Sequence, residues 1–155
     1  MTITWVLVAD GSRARLFEST RRDEPLHQLE SFLNPDVRAS ARQFTTDHPP
    51  TVNESVGFAR HSIEPHTTLR SKQTMRFART LAAALERGRT ERRYERLVVA
   101  APAKFAGALH GQCAKPLRDS ITAEIHRDLV TLSPTEIHER VAPLLEPTVP
   151  RSEIA

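Results

Sequence analysis

The stretch VLVADGSRARLFE, Val6 to Glu18, decides how the chain begins to fold. On one side of Asp10-Gly11-Ser12, Thr2 to Ala9 is rich in β-branched and aromatic side chains; on the other, Ala14 to Phe17 resumes an apolar pattern. An Asp-Gly pair between two such runs is a strong tight-turn signal, so the segment reads as a β-hairpin. Asp10 has two readings. Its carboxylate bonds local backbone and bends the hairpin, or it holds a metal ion in a two-metal nuclease. The second reading needs several carboxylates converging from different elements. The apolar run ending Ala100-Ala101-Pro102-Ala103-Lys104 carries no acid, and Glu86, the one acid on the long helix, stands at its end among arginines. Asp10 therefore reads as a turn residue, and a degenerate nuclease or hydrolase is the least favoured function.

Working outward, a third strand is expected at His27 to Leu33, where Leu26, Leu29, Phe32 and Leu33 follow the polar break Thr20 to Pro25. From Asn34 the pattern dissolves under Pro35, Pro49, Pro50 and Pro65, giving a long loop at about 34–70. A structureless stretch of that length inside a domain is a functional loop or disorder. Met75, Ala78, Leu81, Ala82 and Leu85 then recur at helical spacing, Phe77 and Ala84 widen the apolar face, and Gly88 stands where a C-terminal cap belongs. Lys72, Arg76, Arg79 and Arg87 fall together on the opposite side. Leu97 to Ala101 is an uninterrupted apolar run that reads as a buried central strand. Pro102 to Gln112 reads as a helix with Phe105 and Leu109 on one face, while Ile121 to Leu129 is open between a strand and the tail of a helix starting near Leu117. Ser133-Pro134-Thr135-Glu136 is a capping-box helix start, with Ile137, Val141, Leu144 and Leu145 as its buried side. These elements make one mixed α/β domain over residues 1–147, followed by a tail at 148–155.

A chain of 155 residues buries a core without staples, and its single cysteine, Cys113, makes no intramolecular disulfide. The apolar stretch Ile3 to Ala9 lacks a preceding basic region and ends too early for a signal peptide or membrane span, so the expected location is cytoplasmic. Charge is uneven. Between Arg70 and Arg96 nine basic residues face three acidic ones, whereas the rest of the chain holds 13 basic and 16 acidic residues. One segment thus carries the positive character, and its natural counterpart is a polyanion or an acidic partner surface.

Other chemistries find little support. His48, His61 and His66 lie in the long loop near Asp47, Glu54 and Glu64, but no spacing matches a zinc motif, and solvated loop histidines are expected. His126, Asp128 and His138 read as surface positions, and Cys113, after His110-Gly111-Gln112, as a structural thiol rather than a nucleophile. Five glycines without a Gly-rich run exclude a phosphate-cradling loop. No catalytic residue, metal or cofactor is expected. What remains is the basic helix face Lys72, Arg76, Arg79 and Arg87, with Arg70 and Arg42 added from the loop, as a phosphate-tracking surface. With Phe44 and Phe58 as the loop's only aromatics, contacts would be to the backbone and weak in sequence preference.

Four segments in order, VLVADGSRARLFE, MRFARTLAAAL, LVVAAPAKFAGAL and HRDLVTLSPTEIHERV, resemble the bacterial host attachment family, described as proteins required for attachment to host cells. That family is in turn similar, more distantly, to the middle domain of archaeal and eukaryotic class 1 peptide chain release factors. The resemblance implies a ribonuclease H-like α/β fold, a mixed sheet with helices packed on it. In those release factors a Gly-Gly-Gln loop precedes the long helix and promotes ester hydrolysis. Here Asp36 to Leu69 contains only Gly57 and Gln43, so the motif is absent, and Gly111-Gln112 lies after a later helix. The expected function is a non-catalytic binding module for RNA or the ribosome. The alternative is an attachment or protein-interaction factor with a protein partner; the oligomeric state stays open.

Overall fold

The computed structural model describes residues 2–36 and 59–145, with side chains in 59–68 outside that description. Strands β1 (Thr4–Ala9) and β2 (Arg13–Ser19) form the expected hairpin, in register from Thr4 opposite Ser19 to Ala9 opposite Ala14. At the turn, Asp10 Oδ1 accepts from the backbone N–H groups of Ser12 at 2.8 Å and Arg13 at 2.9 Å. This is the local bonding an Asx turn uses. Gly11 does not have a positive φ, so the carboxylate, not glycine handedness, shapes this turn. Buried Asn34 clamps it from outside: its Nδ2 donates to Gly11 O at 3.0 Å, and its backbone N–H donates to Ser12 O.

β3 (His27–Leu33) pairs antiparallel with β2, within the bounds read from sequence. The long helix α1 (Ala59–Thr90) leads to β4 (Arg96–Ala100), parallel to β1. Helices α2 (Ala103–Gln112) and α3 (Lys115–Ser120) lead to β5 (Ile121–Ile125), parallel to β4. Helix α4 (Pro134–Val141) and a 3-10 turn (Ala142–Leu144) follow. The sheet order is β3-β2-β1-β4-β5, a mixed sheet with helices packed against it, as the α/β reading expects.

The two central strands explain the uninterrupted apolar runs. Side chains alternate across a strand, so Trp5, Leu7, Ala9, Leu97 and Val99 pack with Phe77, Leu81 and Leu85 of α1 and Phe105 and Leu109 of α2. Val6, Val8, Val98 and Ala100 pack on the other side with Leu129, Ile137, Val141 and Leu145. A strand covered on both faces has no polar face to show.

Several expectations are corrected. The loop expected at about 34–70 is shorter, because α1 begins at Ala59 and runs through Pro65; residues 37–58 lie outside the described residues. Pro65 removes one backbone donor and breaks the apolar period, but a helix already nucleated extends by one hydrogen bond per residue added. Gly88 is not the C-terminal cap. Beyond Thr90 the backbone turns left-handed at Arg92, with φ 58°. Arg93 N–H donates to Gly88 O at 2.8 Å and Arg92 N–H to Arg89 O at 3.0 Å, the bond pair of a Schellman ending. Met75, assigned to the apolar face, is exposed. Of the two readings left open for 121–129, the strand holds for Ile121–Ile125, with α3 before it.

The closing helix starts as expected: Glu136 N–H donates to Ser133 Oγ at 3.1 Å, and Ser133 N–H donates to Glu136 Oε1 at 2.9 Å. The bond from the Ser133 backbone N–H, supported by the Ser133 hydroxyl, holds the Glu136 carboxyl below its ordinary range.

Candidate functional site

Helix α1 turns Phe77, Ala78, Leu81, Ala82 and Leu85 into the core, so residues half a helical turn away project outward. Lys72, Arg76, Arg79 and Arg87 are all exposed there and form one stripe at spacings of four, three and eight residues. The stripe is not wholly unengaged. Arg76 Nε lies 2.9 Å from Asp36 Oδ2, and Arg79 Nε donates to Gln112 Oε1 of α2 at 3.3 Å. An exposed ion pair contributes little and exchanges readily for another anion. Arg70 is exposed but falls by helical angle on the side of Phe77 and Leu81, so it does not extend the stripe. Arg42 lies outside the described residues.

Arginines elsewhere do structural work. Arg15 on β2 donates through Nη1 to Val130 O at 3.1 Å and Leu132 O at 2.7 Å, and stacks over Phe17. Arg22 donates to Ala142 O at 3.0 Å, and Arg118 to Cys113 O at 2.6 Å. A guanidinium with several donors suits such carbonyl clusters. Among the described residues, Arg15, Arg22 and Arg118 thus serve as internal staples, while the α1 stripe faces outward.

Cys113 is buried, and burial pushes its thiol up from the ordinary value, which suppresses the reactive thiolate. His110, three residues before it in sequence, turns instead toward β5. His138 corrects the surface expectation: half-buried, its Nε2 lies 2.8 Å from Arg22 O. The side chains of His48, His61 and His66 lie outside the described residues. Among the described residues, no three His, Cys, Asp or Glu side chains are placed to hold a metal ion.

The sequence reading missed one grouping. Glu124 on β5 stands between two imidazoles, with His126 Nε2 at 3.0 Å from Oε1 and His110 Nε2 at 2.7 Å from Oε2. The His126 contact is a hydrogen bond; the His110 contact has ion-pair distance without hydrogen-bond geometry. A cleft of about 480 Å³ runs past them, lined by Ala103, Ala106 and Gly107 of α2 and by residues of β5. The available signal was Glu124-Ile125-His126, an i, i+2 pair on one face of a strand. It was invisible without knowing that 121–125 is a strand and that α2 lies beside it.

Together these features define a mixed α/β protein with a basic helix face on one flank and a small cleft at one sheet edge. The family model for proteins required for attachment to host cells matches residues 5–141, and the chain belongs to that family. No curated protein matches the chain. Among the described residues no helix is long and apolar enough to cross a membrane.

Proposed function

We propose that this member of the attachment family is a non-catalytic module that binds RNA, free or in the ribosome, through the outer face of α1. The supporting observation is the exposed stripe Lys72, Arg76, Arg79 and Arg87 on a helix whose other face is fixed to the sheet. From Lys72 to Arg87 the helix rises roughly 22 Å, enough to meet several phosphates in succession. Its charges are guanidinium-rich, which suits phosphate geometry. The stripe has no aromatic side chain to stack on bases, so the contacts are to backbone and indifferent to sequence. The absence of a Gly-Gly-Gln motif before α1 fits binding without ester hydrolysis.

Arg76→Gln/Arg79→Gln is the test, with anisotropy of labelled single-stranded RNAs of unrelated sequence read across a salt series. Loss of two phosphate contacts should weaken every RNA alike and flatten the log–log salt slope by about 1.4. Unchanged affinity and slope would remove this face from the function. A protein partner in attachment is the second reading, favoured by the family's description; tagged protein at the cell surface, away from ribosomal fractions in a sucrose gradient, would favour it.

A further inference from the structure

The cleft beside β5 has the shape of a strand-binding groove. One wall is Ile121, Thr122, Ala123 and Glu124 of β5, with His126 just past the strand's end. The β4–β5 register shifts at Thr122, but Ala123 and Glu124 beyond it lie regularly opposite Val98 and Val99 and so point to opposite faces; a cleft that touches both reaches the strand's edge, where the backbone donors and acceptors lie. β5 is the terminal strand of the sheet, paired only with β4 among the described residues. The opposite wall is a single stripe of α2, Ala103, Ala106, Gly107 and His110, at i, i+3, i+4 and i+7. Small residues there leave space: a Cβ added to Gly107 meets nothing within 4 Å. An open edge flanked by a helix is the arrangement in which an extended peptide adds to a sheet.

Charge selects the occupant. Glu124 lies opposite Val99 in the sheet register, at a position half-buried beneath α2 where an apolar residue would serve packing better. A second copy pairing antiparallel through its own β5, in the register that centres on Glu124, would set two Glu124 carboxylates against each other, and like charges directly opposite across strands are destabilising. A basic side chain from a different peptide would instead meet the carboxylate, joining His110 and His126 on it or displacing the exposed His126 imidazole from Oε1. We propose that the groove between α2 and the edge of β5 receives an extended peptide segment as an added strand, with a Lys or Arg of that segment on Glu124.

The experiment uses the full chain and two fluorescein-labelled peptides, Thr-Val-Arg-Val-Thr and Thr-Val-Glu-Val-Thr, read by anisotropy. The Arg peptide should bind saturably and at least about ten-fold more tightly than the Glu peptide. Gly107→Leu, which fills the groove, should abolish binding while circular dichroism and Tm stay at or above wild type. Glu124→Gln should bring the two peptides to within about three-fold of each other. No saturable binding of the Arg peptide would overturn the proposal, as would binding that survives Gly107→Leu in a folded protein. So would a wild-type dimer in sedimentation velocity that Gly107→Leu converts to monomer, since the occupant would then be a second copy.

Discussion

Gly88 shows how a single missing side chain sets a packing distance. A Cβ built there would run into the six-membered ring of Trp5, and Trp5 has no room to yield: it stacks on Tyr94 at 4.5 Å between centroids, with the Arg93 guanidinium 5.1 Å from its ring. Glycine inside a helix loses about 1 kcal/mol relative to alanine, so the close approach of α1 to β1 outweighs propensity at this position. Gly88→Ala should lower stability by about 1–3 kcal/mol despite the better helix former, measurable as a fall in the urea midpoint. Tyr94, the only tyrosine in the chain, is buried in the same cluster and donates its hydroxyl to Leu85 O at 2.7 Å. Burial pushes its pKa up to about 12. The unfolded phenol ionises near 10. The stability held in this shift is therefore complete below about pH 10 and is lost as pH rises toward the folded value. An absorbance titration of the phenolate should show a native transition well above that of the chain in denaturant.

At the scale of elements, α1 ends by geometry that its sequence does not favour. Arg92 occupies the left-handed position of the Schellman ending, a conformation that hinders any residue with a Cβ. Arg92→Gly should stabilise the protein by about 0.5–1 kcal/mol, the relief of backbone strain less the greater freedom of glycine in the unfolded chain. Thermal unfolding of the single variant reads it directly. The same ending explains why Gly88 is not the cap: glycine near the last apolar residue is the usual signal, but here the ring of Trp5, remote in sequence, requires the glycine and Arg92 takes the left-handed position. The start of α4 had no such competitor, so Ser133 and Glu136 were legible from their spacing alone.

Across the whole molecule, staples between distant segments hold the sheet's flank together. Arg15 on β2 satisfies the carbonyls of Val130 and Leu132, more than a hundred residues away. Arg15→Met should keep most of the packing over Phe17 yet leave those carbonyls without their donor, destabilising by about 1–3 kcal/mol. The loss should appear in equilibrium unfolding, with RNA affinity of the folded protein unchanged if binding lies on α1. The sequence showed an arginine excess but not which arginines face inward, because that depends on which carbonyls the fold leaves at hand.

The sequence by itself determined the hairpin, the third strand, the buried central strand and the capped last helix, because each rests on local rules: turn chemistry at Asp10, alternation or continuous apolarity along a strand, and a capping box at Ser133. It also placed Lys72, Arg76, Arg79 and Arg87 on one helix face, since helical period alone fixes which residues share a side. Only the tertiary structure decided that Gly88 seats Trp5, that Arg76 and Arg79 already have partners in Asp36 and Gln112, and that Glu124 lies between His110 and His126. Apart from the neighbouring Glu124–His126 contact, each of these is a meeting of elements separated in the chain, and such meetings follow from sheet order and register, which no local pattern specifies.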